Sequence, residues 1–251
     1  MRIDAEGWLH RNKPDDPPVV HMKTERTCRQ LKGDPLGIVN HYTSVEGSVA
    51  NMVAMCKRTE KHAPPLTPAE VKAGKKRRNP SWTFLLLRNG TIIQCAPITV
   101  GTFAVVGSGN VLGVFGVVNA LTIQMEIENH GHLVRIAGKF YRDTKASEKR
   151  PDPKLEVPAA RVFGSDKMGW WATYSGEQQL SAAYLYAALM VEFDWGRPQL
   201  SLTHRQFNAP RKMDPGEAWT IMTQPAALAH AELLATGWRA ERRSPPPSLQ
   251  A

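Results

Sequence analysis

The pattern of apolar and polar residues predicts an α/β protein, a single domain with a central mixed β-sheet flanked by helices. Three segments carry that expectation. Residues 121–129 alternate, with Ile123, Met125 and Ile127 on one side and Thr122, Gln124, Glu126 and Glu128 on the other. That is the period-two signature of a strand with one core face. Residues 178–193 place Leu180, Tyr184, Ala187, Ala188 and Val191 on one helical stripe. Residues 82–87 and 91–96 flank Arg88-Asn89-Gly90, and Asn-Gly between two apolar runs signals a hairpin, because both positions tolerate positive φ. Strands and helices mix without strict βα alternation, so the sheet should be mixed rather than all parallel.

The remaining elements follow in chain order. Residues 1–34 are polar, contain Pro14, Pro17 and Pro18, and read as an extended N-terminal lead-in. Residues 36–40 (LGIVN) enter after Pro35 as a short buried strand that ends at His41-Tyr42-Thr43. Residues 44–57 read as a helix, with Val49, Met52, Val53 and Cys56 at helical spacing. A Pro- and Lys-rich loop covers 59–80. The Gly-rich stretch 101–118 fits either a strand pair or a loop wrapping a site. Residues 141–168 are charged and Pro-rich, the mark of a surface excursion. Residues 200–203 form a short strand or turn running into His204. A last helix spans 225–243, with Leu228, Leu233 and Leu234 apolar and Pro225 near its start. The tail SPPPSLQA cannot pack and is expected to be disordered.

Composition narrows the function. The 42% hydrophobic and 22% charged fractions are those of a soluble globular domain. Cys28, Cys56 and Cys95 form an odd set without CxxC spacing, so neither a disulfide framework nor a cysteine zinc site is expected. The net charge of +9 favours an anionic partner, and bacterial cell wall qualifies alongside nucleic acid and anionic membrane. Its densest patch, Lys75, Lys76, Arg77 and Arg78, has no interleaved aromatics and reads as a solvated loop. No run approaches the roughly 18 apolar residues of a membrane helix. The acidic, polar N-terminus is unlike a secretory signal, so synthesis in the cytoplasm is expected, with release or delivery needed for action on the wall.

The segment 204–216, HRQFNAPRKMDPG, carries the clearest chemistry. Pro210 and Pro215-Gly216 force it to turn, which can bring His204 and Asp214 together. Imidazole and carboxylate are ordinary zinc ligands. Two are too few, and His41, directly after a buried strand, is the best third. Other candidates read more plainly. His130 and His132 in NHGH suit an exposed turn. Trp170-Trp171 suits a sugar platform or a buried pair. Gly107-Ser108-Gly109 lacks the Lys-Ser/Thr of a phosphate loop.

These residues resemble the zinc-dependent N-acetylmuramoyl-L-alanine amidases, the family of phage endolysins, cell-wall recycling amidases and peptidoglycan recognition proteins. The strand ending in His41-Tyr42-Thr43 is similar to the family's first ligand motif. Residues 81–94 (SWTFLLLRNGTIIQ) resemble its central hairpin, 122–129 (TIQMEIEN) its catalytic strand, and 204–216 its closing motif. Glu6-Gly7-Trp8-Leu9 is similar to the opening of the recycling amidases. The resemblance implies an amidase/peptidoglycan-recognition-like fold over 35–222, preceded by a 1–34 extension and followed by a C-terminal helix and tail over 223–251. It implies one catalytic Zn2+ held by His41, His204 and Asp214, with Glu126 as the catalytic glutamate and Lys212 as the catalytic lysine. Glu128, on the same face, is the alternative acid. The implied reaction is hydrolysis of the amide between N-acetylmuramic acid and L-alanine, with metal-bound water as nucleophile. The implied partners are peptidoglycan or muropeptides, with neither nucleic acid nor membrane insertion. Two departures touch the groove: Thr83 stands where many relatives carry His, and Gly101-Thr102-Phe103-Ala104 where many carry Trp-His-Ala-Gly. The competing expectations are a non-catalytic peptidoglycan-binding protein and a basic nucleic-acid-binding protein. The setting, whether recycling enzyme, endolysin or delivered toxin, leans to endolysin or effector.

Overall fold

The computed structural model describes residues 1–24, 27–30, 33–43, 81–105, 108–143, 152–208 and 215–243. The expected helix 44–57, the loop 59–80 with its basic run, and the Pro-rich tail lie outside them.

The described strands are, in chain order, β1 (Arg2–Ile3), β2 (Leu9–His10), β3 (Val19–His21), β4 (Thr27–Gln30), β5 (Ile38–Tyr42), β6 (Phe84–Leu86), β7 (Ile92–Gln94), β8 (Val100–Thr102), β9 (Ser108–Val111), β10 (Val114–Val117), β11 (Ile123–Ile127), β12 (His132–Ile136), β13 (Lys139–Arg142), β14 (Glu156–Val157), β15 (Val162–Ser165), β16 (Gly169–Ala172) and β17 (Leu202–Thr203). The α-helices are α1 (Gly176–Phe193), α2 (Arg197–Leu200), α3 (His204–Asn208) and α4 (Gln224–Arg243).

Among the described residues the central sheet has the order β17-β5-β11-β6-β7-β3. Strand β11 runs parallel to both β5 and β6, β17 parallel to β5, and β3 parallel to β7. The hairpin β6–β7 is antiparallel, which makes the sheet mixed as expected. Its turn closes through Gly90 N–H to the Leu87 carbonyl at 2.9 Å, with Gly90 at φ +82°. That backbone is costly for any residue with a Cβ.

One face of the sheet is apolar core. Ile38, Phe84, Leu86, Ile92, Ile123, Met125 and Ile127 are buried there with Ala182, Ala183, Leu185, Tyr186 and Leu189 of α1. Helix α1 is itself sandwiched. Leu228, Ala231 and Ala235 of α4 join the same core, and α4 follows a π-helical turn at Ala218–Thr223. The stripe expected on α1 is therefore widened: Ala187 and Ala188 are buried and Tyr184 and Val191 pack against the core, Leu180 alone is 43% exposed, and Ser181 to Ala183 and Leu185 to Met190 are buried as well. A helix covered on two sides buries most of its girth, and its small alanines let it lie close to the sheet. On α4, Leu233 points outward at 75% exposure and alanines take the core positions instead. Helix α1 starts at a capping box, in which Ser175 Oγ accepts from Gln178 N–H and Gln178 Oε1 accepts from Ser175 N–H, both at 3.0 Å.

Two regions are more ordered than the sequence suggests. In residues 1–34, β1 and β2 pair with each other, and β3 forms an edge of the central sheet. The strands of this region have only two to four residues, too short to announce themselves by alternation. Within the supposed excursion 141–168, the end of β13 and strands β14 and β15 belong to a second, antiparallel sheet of order β14-β13-β12-β16-β15. Within the Gly-rich stretch, the end of β8 pairs with β4, and β9 and β10 form a hairpin. No helix among the described residues is long and apolar enough to cross a membrane.

Candidate active site

Strands β5, β11 and β17 are mutually parallel, so their C-terminal ends lie along one edge of the sheet. Open α/β sheets gather functional groups at that edge. His41 lies near the end of β5, Glu126 near the end of β11, and His204 directly follows β17. In the register of β5 and β11, His41 is opposite Glu126. Neighbouring strands are about 4.7–4.9 Å apart, and paired residues share a face. Both side chains therefore rise from the face opposite α1.

The ring nitrogens decide what the two histidines can do. His41 Nδ1 lies 2.9 Å from His204 Nδ1, across 163 residues of sequence. The rings meet edge to face, 4.6 Å between centroids. Both residues are buried. The other nitrogen of His41, Nε2, lies 2.8 Å from Gln124 Oε1. An amide oxygen only accepts, so Nε2 carries the hydrogen and Nδ1 of neutral His41 offers a lone pair toward His204. Two imidazole nitrogens at this separation can share one cation, since Zn–N bonds run to about 2.0–2.1 Å. The donor chemistry thus fits zinc. Lys212 and Asp214 lie outside the described residues, and among the described residues no cluster of three ligating side chains forms.

The segment bearing Asp214 is anchored at both described ends. His204 is held in α3. At the other end, Tyr174 donates its hydroxyl to the Pro215 carbonyl at 2.7 Å. Gly216 has φ +83°, and a Cβ there would stand 2.5 Å from the Trp171 ring. Only glycine fits.

Glu126 is 6% exposed, at the edge of the buried interior. Glu128, the alternative acid, has a visible structural role. Its Oε2 accepts the Arg88 backbone N–H at 2.7 Å, tying the end of β11 to the hairpin turn. His132 is engaged with Asp143 at 2.8 Å and packs edge-on against Trp171. Trp171 is buried, whereas Trp170, its neighbour on the opposite face of β16, meets Phe140 at a tilt, 4.9 Å between centroids. Cys95 is buried. Thr83 is fully buried, its hydroxyl 3.4 Å from that of Thr102.

Residues that sequence reasoning did not single out complete the frame. Asn40 Nδ2 donates to the carbonyls of Leu200 and Leu202 at 3.1 and 2.8 Å, which locks β17 onto β5. Gln124 contacts His41. The sequence signal for Asn40 was a polar residue at the end of an apolar run, and for Gln124 its place on the polar side of an alternating strand.

A family model described as N-acetylmuramoyl-L-alanine amidase matches residues 31–217, a span that contains His41, Glu126 and His204. The chain belongs to that family. Among solved structures it is similar to a selenomethionine derivative of AmpD, at 19% identity and TM-score 0.52, covering 93% of this chain and 99% of that one. At this identity the likeness speaks for the fold. Also similar are AmpD from Citrobacter freundii, at 18% identity, TM-score 0.44 and coverage of 92% and 96%, and AmiD from E. coli, at 18% identity, TM-score 0.46 and coverage of 79% and 60%. The latter was solved with anhydro-N-acetylmuramic acid-L-Ala-D-gamma-Glu-L-Lys. No curated protein matches the chain. In this amidase family member, the site therefore lies inside the matched span and at the edge that the sheet topology selects.

Proposed function

We propose that the protein is a zinc-dependent peptidoglycan amidase that hydrolyses the amide between N-acetylmuramic acid and L-alanine. The observation that carries this reading is the buried pair of Nδ1 atoms, 2.9 Å apart, on the sheet face and edge that also present Glu126. Membership of the amidase family supplies the substrate class.

His41 and His204 would hold the ion, with Asp214 as third donor. When bound, zinc polarises the scissile carbonyl and lowers the pKa of the attacking water toward about 7. Glu126, with little solvent around it, accepts the proton of the attacking water and delivers it to the leaving amine of L-alanine. Lys212 stabilises the oxyanion as the carbonyl carbon becomes tetrahedral. His41 and His204 stay neutral throughout. The +9 charge draws the protein to anionic wall.

The test is digestion of purified peptidoglycan with and without a chelator, read by mass spectrometry. Stem peptides beginning at L-alanine should appear, and only when zinc is available. Intact glycopeptides with zinc-loaded protein would move the substrate to another amide. Intact glycopeptides with protein that takes up no zinc would leave a binding protein of the same fold.

A further inference from the structure

Behind His41 runs a chain of buried hydrogen bonds whose direction is fixed from its far end. It begins at the carbonyl of Val118, which can only accept. The hydroxyl of Thr122 donates to it at 2.7 Å. That uses the single hydroxyl hydrogen, so Thr122 Oγ1 meets its other neighbour as an acceptor. The neighbour is Gln124 Nε2, 2.6 Å away, which also approaches the Thr122 carbonyl at 3.4 Å. Turning the amide over would set Gln124 Oε1 against that carbonyl and that engaged hydroxyl. The amide is thereby locked with Oε1 toward His41 Nε2 at 2.8 Å. Thr122, Gln124 and His41 are each 2% exposed or less, so water does not compete for these bonds.

We propose that Gln124 is a positioning residue: its amide, locked by Thr122 and Val118, holds His41 as the Nε2–H tautomer and so aims the Nδ1 lone pair at His204. Without the lock, neutral imidazole distributes its hydrogen between both nitrogens, and the form with hydrogen on Nδ1 cannot ligate there. An outer partner of this kind typically changes metal affinity about 10- to 100-fold. The inference rests on the zinc reading for its consequence, but the tautomer itself belongs to the metal-free protein.

The experiment uses full-length protein labelled with 15N-histidine, without metal, in long-range 1H–15N spectra, followed by zinc titration. Wild type should show His41 with its hydrogen on Nε2. Gln124→Leu should lose that signature and bind zinc about 10- to 100-fold more weakly. Gln124→Glu keeps an acceptor oxygen and should restore the tautomer. Thr122→Val leaves the glutamine but unlocks it, and should shift the tautomer partway; this variant decides the matter if Gln124→Leu does not fold. An unchanged His41 tautomer in Gln124→Leu or Thr122→Val overturns the inference. Wild type with the Nε2–H form but no zinc binding would leave the inference standing and overturn the zinc reading instead.

Discussion

Tyr186 of α1 donates its hydroxyl to Asn40 Oδ1 at 2.8 Å, one residue before His41 on β5. Burial raises the Tyr186 pKa far above the ordinary phenol range, so the group stays a donor at every working pH. The same Asn40 donates to both carbonyls at the foot of β17. Helix, central strand and the strand that delivers His204 therefore meet at one amide. Asn40→Leu should cost on the order of 2 kcal/mol in chemical denaturation, because buried partners lose their hydrogen bonds. It should also weaken zinc binding, since the two histidines depend on that alignment.

Glu126→Ala should keep its zinc and lose turnover by about 10²- to 10⁴-fold, the usual worth of a positioned acid–base group. Metal content and stem-peptide release measured on the same preparation check both halves. An active Glu126→Ala enzyme would remove the role and return attention to Glu128.

Metal dependence should divide the site residues. Replacing His41, His204 or Asp214 with Ala should abolish stoichiometric zinc and activity together. Lys212→Ala should retain zinc while lowering kcat. Zinc analysis after dialysis against a weak chelator separates the two groups.

Gly216→Ala should destabilise the protein by about 1–3 kcal/mol, the scale of a residue forced into a left-handed backbone. The new methyl would also press on the Trp171 ring. Thermal denaturation gives the cost, and a fall in zinc affinity larger than that of a distant destabilising variant would show that the closing segment has moved.

The pH dependence of one surface link has a definite sign. Arg197 donates to both carboxylate oxygens of Glu232 at 2.7 and 2.6 Å, joining α2 to α4. The hydrogen bond from Arg197 holds the Glu232 pKa below its ordinary value of 4.5. The depressed folded value means that its small contribution is present above about pH 4.5 and fades as pH falls through the folded pKa. The stability gap between wild type and Glu232→Gln, small because the pair is solvent-exposed, should close on acidification from neutral pH through the folded pKa.

The central sheet and one end of the site were legible in the sequence because they rest on local signals. The alternation of 121–129 gave β11 and both of its faces. Asn89-Gly90 gave the hairpin, and a histidine after an apolar run gave His41. The second sheet was not legible, since strands of two to five residues, two of them joined by the tight turn at Ala137-Gly138, leave no period to count. The stripe on α1 was drawn too narrow because the sequence shows one helix, whereas burial there is set by two neighbours, the sheet and α4. Gln124 and Asn40 look like ordinary polar residues until the strands beside them are in place.

The contact between Trp171 and Gly216 couples the second sheet to the turn that follows Asp214. Shortening or deleting residues 130–172 would take away the wall against which that turn is seated. A descendant lineage could therefore vary the outward side of this sheet, where Arg135 lies over the Phe140 and Trp170 rings, far more freely than the inward side. The evolutionary freedom of the second sheet is one-sided, and Trp171 marks the side that is held.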